Sequence, residues 1–531
     1  MRIITCLAAL ALASCAGHGT AADTTEEEGT PEDPQAEDVS GEDPSADEDV
    51  DGWIPPELEW TACSLYEGEE DGRAECAFME VPFRWGEDDG RRFTVMAKRV
   101  TRMVGVLDGQ IWLLEGGPGG AGTHGYAQYM EWIRGTFPSW ESYVLDFRGT
   151  GHSGFLPCPA DDTTEVTFES TIDEVQHCID SQVADDLDVY GPTQSSHDLM
   201  AFIEATRVEG SKVVLWGNSA GTYWAQRFLQ IHPDAVDGVV IEALLPPDFF
   251  GGFQEEGQDL VLKSILAMCG ADSFCSGKLP DPETALTTLL TSLDAGHCPG
   301  VGWTSDDLAA VIGLLLYYRP YDSAIPGLVY RLTRCDPADV AAIDALVSDF
   351  QLVGEGTAFS IAVFYNVYFS EMWDHPDYTD STAFLAYLDS IYAEALALDG
   401  TGYRMHEVFL RWPLYDDPLD GGWPDTDTPM LMLQGHLDPA TPLFMAESMA
   451  VHYTGASQHY IEFPTGTHAI VFGTPTTPTG GGDCGVTLLT DFIGDPAGPL
   501  DTSCVDLVVP LDFEGAHDAP RLMGTADFWE G

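Results

Sequence analysis

Ser219, Asp438 and His468 could together perform acyl transfer, provided the fold converges them. Ser219 is the centre of Gly217-Asn218-Ser219-Ala220-Gly221, which fits the pattern G-x-S-x-G. The pattern suits a serine on a tight strand-to-helix turn, with small residues on both sides so that strand and helix can approach. A serine hydroxyl is a poor nucleophile without a base. Asp438 follows in Leu437-Asp438-Pro439-Ala440-Thr441-Pro442, and His468 in Gly466-Thr467-His468, giving the order serine, acid, histidine expected of such a turn. In that arrangement Asp438 orients the imidazole, and His468 takes the Ser219 proton and returns it to the leaving group. Asp248 is the alternative acid. Three histidines compete. His459 falls inside a strand pattern, His452 in a helix pattern, and His436 on the acid's own turn.

Acyl transfer also builds a negative oxygen, at which backbone N–H groups must point. Ala220, next to the nucleophile, offers one. The run Gly116-Gly117-Pro118-Gly119-Gly120 offers another, assigned to Gly117 because Pro118 has no N–H. The run lacks the G-K-[ST] ending of a phosphate loop. A second motif, Gly149-Thr150-Gly151-His152-Ser153-Gly154, spells G-x-G-x-x-G after a strand pattern, but Pro157 and Pro159 follow and cannot open the helix that dinucleotide binding requires.

The elements that must position these residues are short apolar runs ending in glycine-rich turns: 110–114, 143–147, 212–216, 238–241, 430–433 and 458–463. Unbroken apolar runs of this length suit parallel strands covered on both faces. Helix patterns fall between them, as at 196–205 and 223–231, and the alternation predicts an α/β sheet. From 249 to 426 the alternation stops and the pattern is largely helical, for example over 306–318 and 381–398. An insertion there would lie over the carboxyl ends of the strands, where open α/β sheets bind ligands.

The amino terminus reads as an export signal. Arg2 is followed by a short apolar stretch, Ile3 to Ala13, and by Leu12-Ala13-Ser14-Cys15, which resembles a bacterial lipobox with Cys15 as the acylated residue. A lipid anchor, not a spanning helix, is then the expected membrane contact, with the protein held on the cell envelope or secreted. Residues 16–52 are acidic and nearly free of large apolar side chains, and are expected to be a disordered tether. The net charge is −67, of which residues 23–51 contribute fourteen acids and no Lys or Arg. That balance argues against nucleic-acid partners. Beyond Cys6 and Cys15, ten cysteines remain in an exported chain, so disulfides are expected. Proximity suggests Cys63–Cys76, Cys158–Cys178, Cys269–Cys275, Cys298–Cys335 and Cys484–Cys504. No cysteine–histidine cluster suggests a metal, and no organic cofactor is implied.

With these residues in place, the chain resembles the proline iminopeptidase and tripeptidyl aminopeptidase group of α/β-hydrolases, peptidase family S33. The matching pieces are Trp60-Thr61-Ala62-Cys63, Glu75-Cys76-Ala77 through Val81-Pro82, GGPGG at 116–120, DFRGTGHSG at 146–154, GNSAGTY at 217–223, LDPATP at 437–442, GTH at 466–468, and the segment Cys484 to Cys504. Glu115 departs from the family, which usually has His before GGPG. The resemblance implies an α/β-hydrolase fold with a mostly parallel central sheet and a largely helical cap. Its parts are a signal at 1–15, a linker at 16–52, core at 53–248, cap at 249–426, and core at 427–531 with a tripeptidyl-aminopeptidase-like end. It implies release of amino-terminal residues or short peptides from peptide substrates. Glu371 resembles a family glutamate that receives the substrate's ammonium group, and Glu255 and Glu256 are further candidates. An esterase on the same three residues, or a catalytically silent surface binding protein, are the alternatives. Residue preference, the length of peptide released and oligomeric state are left open.

Overall fold

The computed structural model describes residues 53–530 apart from 88, 162, 163, 183–185, 355–357, 379 and 479. The signal stretch, Cys15 and the whole acidic linker at 16–52 therefore lie outside the described residues. A nine-stranded sheet organises the rest. Its strands are β1 (Thr61–Cys63), β2 (Ala74–Pro82), β3 (Arg92–Val100), β4 (Gly109–Leu114), β5 (Trp140–Leu145), β6 (Lys212–Asn218), β7 (Gly238–Glu242), β8 (Met430–Gly435) and β9 (Gln458–Phe463). Their order is β1-β2-β3-β5-β4-β6-β7-β8-β9. The pairs β1/β2, β2/β3 and β3/β5 are antiparallel, and β5 through β9 run parallel.

The apolar runs became strands because helices cover both faces of the sheet. Trp112, Leu215, Ile241 and Met432 point to one core cluster, and Leu113, Val214, Val240 and Leu433 to the other. Alternate residues thus fill opposite cores, and neither set can be polar. Helices Pro192–Thr206 and Ala220–Ile231 fall on the predicted patterns.

Between β7 and β8 the described chain is helical, from Gln254–Ala271 to Thr401–Phe409. Its start signals are local. Thr304 and Asp307 form a reciprocal capping box on Ser305–Leu315, and Asp281 caps Pro282–Asp294. Much of this region packs around a third cluster built on Leu262, Ile312 and Leu328. The carboxyl-terminal part of the chain reaches beyond the sheet: Leu511, Phe513, Phe528 and Trp529 pack into the helical cluster. The buried Arg331 guanidinium donates to the carbonyls of Asp527, Phe528 and Glu530, which fastens the tail there. A short carboxyl-terminal run without a periodic pattern carries no sequence signal for such a crossing.

All five expected disulfides are present: Cys63–Cys76, Cys158–Cys178, Cys269–Cys275, Cys298–Cys335 and Cys484–Cys504. They fit a chain folded in an oxidising compartment. Among the described residues no helix is long and apolar enough to cross a membrane.

Candidate active site

Ser219 sits between β6 and the helix Ala220–Ile231 with φ 54° and ψ −127°. A non-glycine residue at positive φ is strained and persists only where its surroundings enforce it. The enforcement here is close packing. A Cβ on Gly221 would fall 2.1 Å from Leu114 O, and one on Gly217 2.5 Å from Gly221 O. The two glycines allow the helix to start immediately against β4 and β6. The Ser219 N–H is held by Glu242 O at 3.1 Å.

Asp438 follows β8 and is fully buried. Its Oδ1 accepts from the N–H groups of Ala440 and Thr441, both at 2.9 Å, and its Oδ2 from the Thr441 hydroxyl at 2.7 Å. The turn Asp438-Pro439-Ala440-Thr441 thus supplies three donors that fix the carboxylate in place. His468 follows β9 and its Nδ1 lies 2.9 and 3.0 Å from the two Asp438 oxygens. A carboxylate can only accept, so Nδ1 carries the proton and Nε2 is the basic nitrogen. The Asn218 side-chain amide donates to His468 O at 3.4 Å, which brings the histidine loop beside the serine turn. Serine, acid and histidine therefore all lie at the carboxyl ends of parallel strands, after β6, β8 and β9.

The competing residues are placed elsewhere. His436 pairs with Glu462 at 2.8 Å, His452 faces Pro424 O, and His459 lies inside β9. Asp248 is exposed and accepts from Ser448.

Ser219 opens onto a cavity of about 510 Å³, which Gly117, Pro118, Tyr317, Tyr368 and Trp373 also line. Gly117 has φ 118°, which glycine tolerates and other residues rarely adopt. Ala220 lines a small adjoining recess together with Glu115 and Gly116. Gly116 N–H is already committed to Glu115 Oε1 at 3.1 Å, so Glu115 braces the glycine run from below.

The acids separate by environment. Glu371 does not line the cavity. Its carboxylate is fully buried and receives Tyr223 and Arg227 at 2.9 Å each, and Tyr415. Burial pushes it up to about 7 against the pull of Arg227. That carboxylate is saturated and is not placed to receive a substrate's ammonium. Glu255 does line the cavity and is 6% exposed. Its Oε1 accepts from Tyr392, while its Oε2 is buried without a hydrogen bond of good geometry and faces Gly402. Burial pushes Glu255 up to about 7 as well. Glu169, Asp306, Asp307 and Asp399 line the same cavity, against the single cation Arg404 among its described walls. Glu256 instead accepts from Tyr387 at 2.9 Å and is not in the lining.

Two residues escaped the sequence reading. Tyr317, from the helical region, accepts the His468 N–H on its carbonyl at 3.2 Å and meets the imidazole edge-on at 5.3 Å. Nothing in its sequence context marks it. Glu242 ends β7, and its Oε2 receives the N–H groups of Ile470 and Val471 at 2.9 and 2.7 Å. An acid closing a buried strand needs partners, and that was its one available signal.

The family profile described as "alpha/beta hydrolase fold" matches residues 111–262, and the one described as "TAP-like protein" matches residues 411–504. No curated protein matches. Solved structures similar to the chain include acetyl xylan esterase 1 from Thermoanaerobacterium sp. JW/SL YS485, at 12% identity over 78% of this chain and 84% of that one, TM-score 0.32. A second is MGS-M2, an alpha/beta hydrolase enzyme from a Medee basin deep-sea metagenome library, at 12% identity over 77% and 97%, TM-score 0.32. A third is a cold-adapted esterase from an Arctic intertidal metagenomic library, at 18% identity over 34% of this chain and 64% of that one, TM-score 0.21. Sheet order, the strained serine turn and the matched profiles agree: the chain has the α/β-hydrolase fold, with a TAP-like segment over residues 411–504.

Proposed function

We propose that the protein is an exported serine hydrolase that removes amino-terminal residues or short peptides from peptide substrates. The observation that carries the reading is an acidic cavity with a strained serine on its wall and a buried histidine–aspartate pair beside that serine. Ser219 Oγ attacks the scissile carbonyl as His468 Nε2 takes its proton. Asp438 holds the Nδ1–H and stabilises the imidazolium. The N–H groups of Gly117 and Ala220 receive the oxyanion. The imidazolium then gives its proton to the departing amine, leaving an acyl-enzyme. Water, deprotonated by His468, attacks that ester, and Ser219 recovers its proton as the carboxylic acid leaves.

The choice of a free amino terminus rests on Glu255. A buried carboxylate with one oxygen lacking a hydrogen bond of good geometry favours a charged donor from the ligand. The TAP-like segment supports a peptide substrate. The signal stretch and the five disulfides support export, and Cys15 would carry a lipid that leaves the enzyme tethered by residues 16–52.

A panel of aminoacyl and tripeptidyl anilides, their amino-blocked counterparts and short-chain nitrophenyl esters tests the reading. Anilides cleaved only with a free amine are the expected result. Ester turnover without amide turnover would replace it with an esterase. No turnover of any substrate would leave a binding protein.

A further inference from the structure

Glu67, His124 and His152 lie outside the proposed active site and come from three separate segments: the turn after β1, the one-turn helix Gly122–Gly125 and the turn after β5. His152 belongs to the glycine-rich turn whose sequence imitates a dinucleotide motif. One donor atom from each residue lies within 4.8 Å of the other two. His124 Nε2 is 4.0 Å from Glu67 Oε2, and His152 Nε2 is 3.9 Å from Glu67 Oε1. The imidazoles stack at 5.7 Å with 21° between their planes.

The protons of this group can be followed. The fully buried Asp146 accepts from the Thr123 hydroxyl at 2.9 Å, and a carboxylate has no proton to give back. The Thr123 oxygen, 3.3 Å from His124 Nδ1, must then accept from it. His124 Nδ1 therefore carries the proton, and the Nε2 lone pair faces the Glu67 carboxylate. A cation bound between that nitrogen and the carboxylate would suit both. Asp146 also fixes the loops, accepting the backbone N–H of Thr123 at 2.9 Å and of His152 at 2.8 Å. A Cβ on Gly151 would fall 2.2 Å from Asp146 Oδ2, so the His152 turn is moulded onto that carboxylate. A ligand imidazole with its other nitrogen tied to a hydroxyl–carboxylate relay is the usual outer arrangement of a metal site.

We infer that Glu67, His124 and His152 form a site for a divalent transition-metal ion of zinc type. Two imidazoles and one carboxylate suit such an ion better than calcium or magnesium, which prefer all-oxygen shells. A tetrahedral zinc with bonds of about 2.0–2.1 Å needs donor atoms about 3.4 Å apart. The half-exposed Glu67 and His152 side chains supply the closure. The Lys98 ammonium, 3.9 Å from Glu67 Oε2, stays held by Thr123 O at 2.7 Å and lowers the affinity without filling the site. The ion would staple the three segments together and take no part in the proposed hydrolysis.

The test is a calorimetric zinc titration of the full-length protein in excess magnesium, which occupies the hard carboxylate sites. The expected result is one zinc per chain. Both Glu67→Gln and His152→Gln should weaken it at least ~10-fold, whereas His436→Gln should not. Melting curves of the metal-free variants matching wild type show that folding is unaffected, because both side chains are half exposed. A variant that melts early is replaced by His124→Gln. Absence of a stoichiometric zinc, or one that survives both substitutions, overturns the site.

Discussion

His468 is useful as a base only while Asp438 holds its Nδ1 proton. Asp438→Asn keeps shape and volume but can present an N–H to that nitrogen, which favours the wrong tautomer. A drop in kcat of about 10⁴-fold with little change in melting temperature is expected, measured on whichever anilide is turned over. Glu255 gives a second prediction at this scale. Its carboxylate must ionise to hold an ammonium, and burial puts that ionisation at about 7. The ratio of kcat/KM for free-amine over amino-blocked substrates should therefore rise as pH increases through about 7. It should fall again as the substrate amine loses its proton near ~8. Taking the ratio cancels titrations shared by both substrates. Glu255→Gln should flatten the rising limb and lower the ratio roughly ten- to a hundredfold, the worth of a hydrogen bond to a charged group. An unchanged ratio would remove Glu255 from recognition. The serine, acid and histidine were legible because a turn that must be tight admits few residue types. The proposed ammonium anchor was not: Glu371 and Glu255 look alike in sequence, and only packing decides which one Arg227 reaches.

At the scale of elements, the serine turn depends on contact between Gly221 and Leu114 O. Gly221→Ala forces β4 and the helix Ala220–Ile231 apart. Overpacking of this kind costs about 1–3 kcal/mol, and thermal melting should show it together with loss of turnover. The strands were legible where both faces are covered. β5 was read from Tyr143, but it begins at Trp140 and includes the buried Glu141. Glu141 enters a covered strand only because Arg102 and the Tyr143 hydroxyl satisfy it, a pairing that sequence spacing does not show. The Cys298–Cys335 bridge closes 37 residues of the helical region. Replacing both cysteines by alanine should cost about 3–4 kcal/mol on the chain-entropy account. A melt unchanged from wild type would refute that account for this region.

For the whole molecule the dominant fact is a charge of −67. Like charges at this density repel within the folded state, and salt screens them over about 8 Å at physiological strength. Melting temperature should therefore climb with added sodium chloride, and a flat profile would contradict this. Proton linkage adds a direction in pH. Burial pushes Glu255 and Glu371 up to about 7 and Asp322 up to about 6, so the folded chain binds protons that the unfolded chain has released. Their contribution is complete below the unfolded carboxylate values and is lost as pH rises towards about 7. Glu530, which Lys278 and Arg334 hold down to about 2, acts in the opposite sense and loses its contribution as pH falls towards about 2. Stability should peak on the acid side of neutrality and decline from pH 5 to 7.5.

The central claim is that Ser219 is an activated nucleophile, and covalent labelling tests it most directly. The protein is treated with a fluorophosphonate, its intact mass is measured, and the modified peptide is mapped. The account predicts one adduct per chain, on Ser219, absent from a folded Ser219→Ala variant and strongly slowed in Asp438→Asn. No adduct on a folded, disulfide-bonded chain, or an adduct that persists in Ser219→Ala, would contradict it.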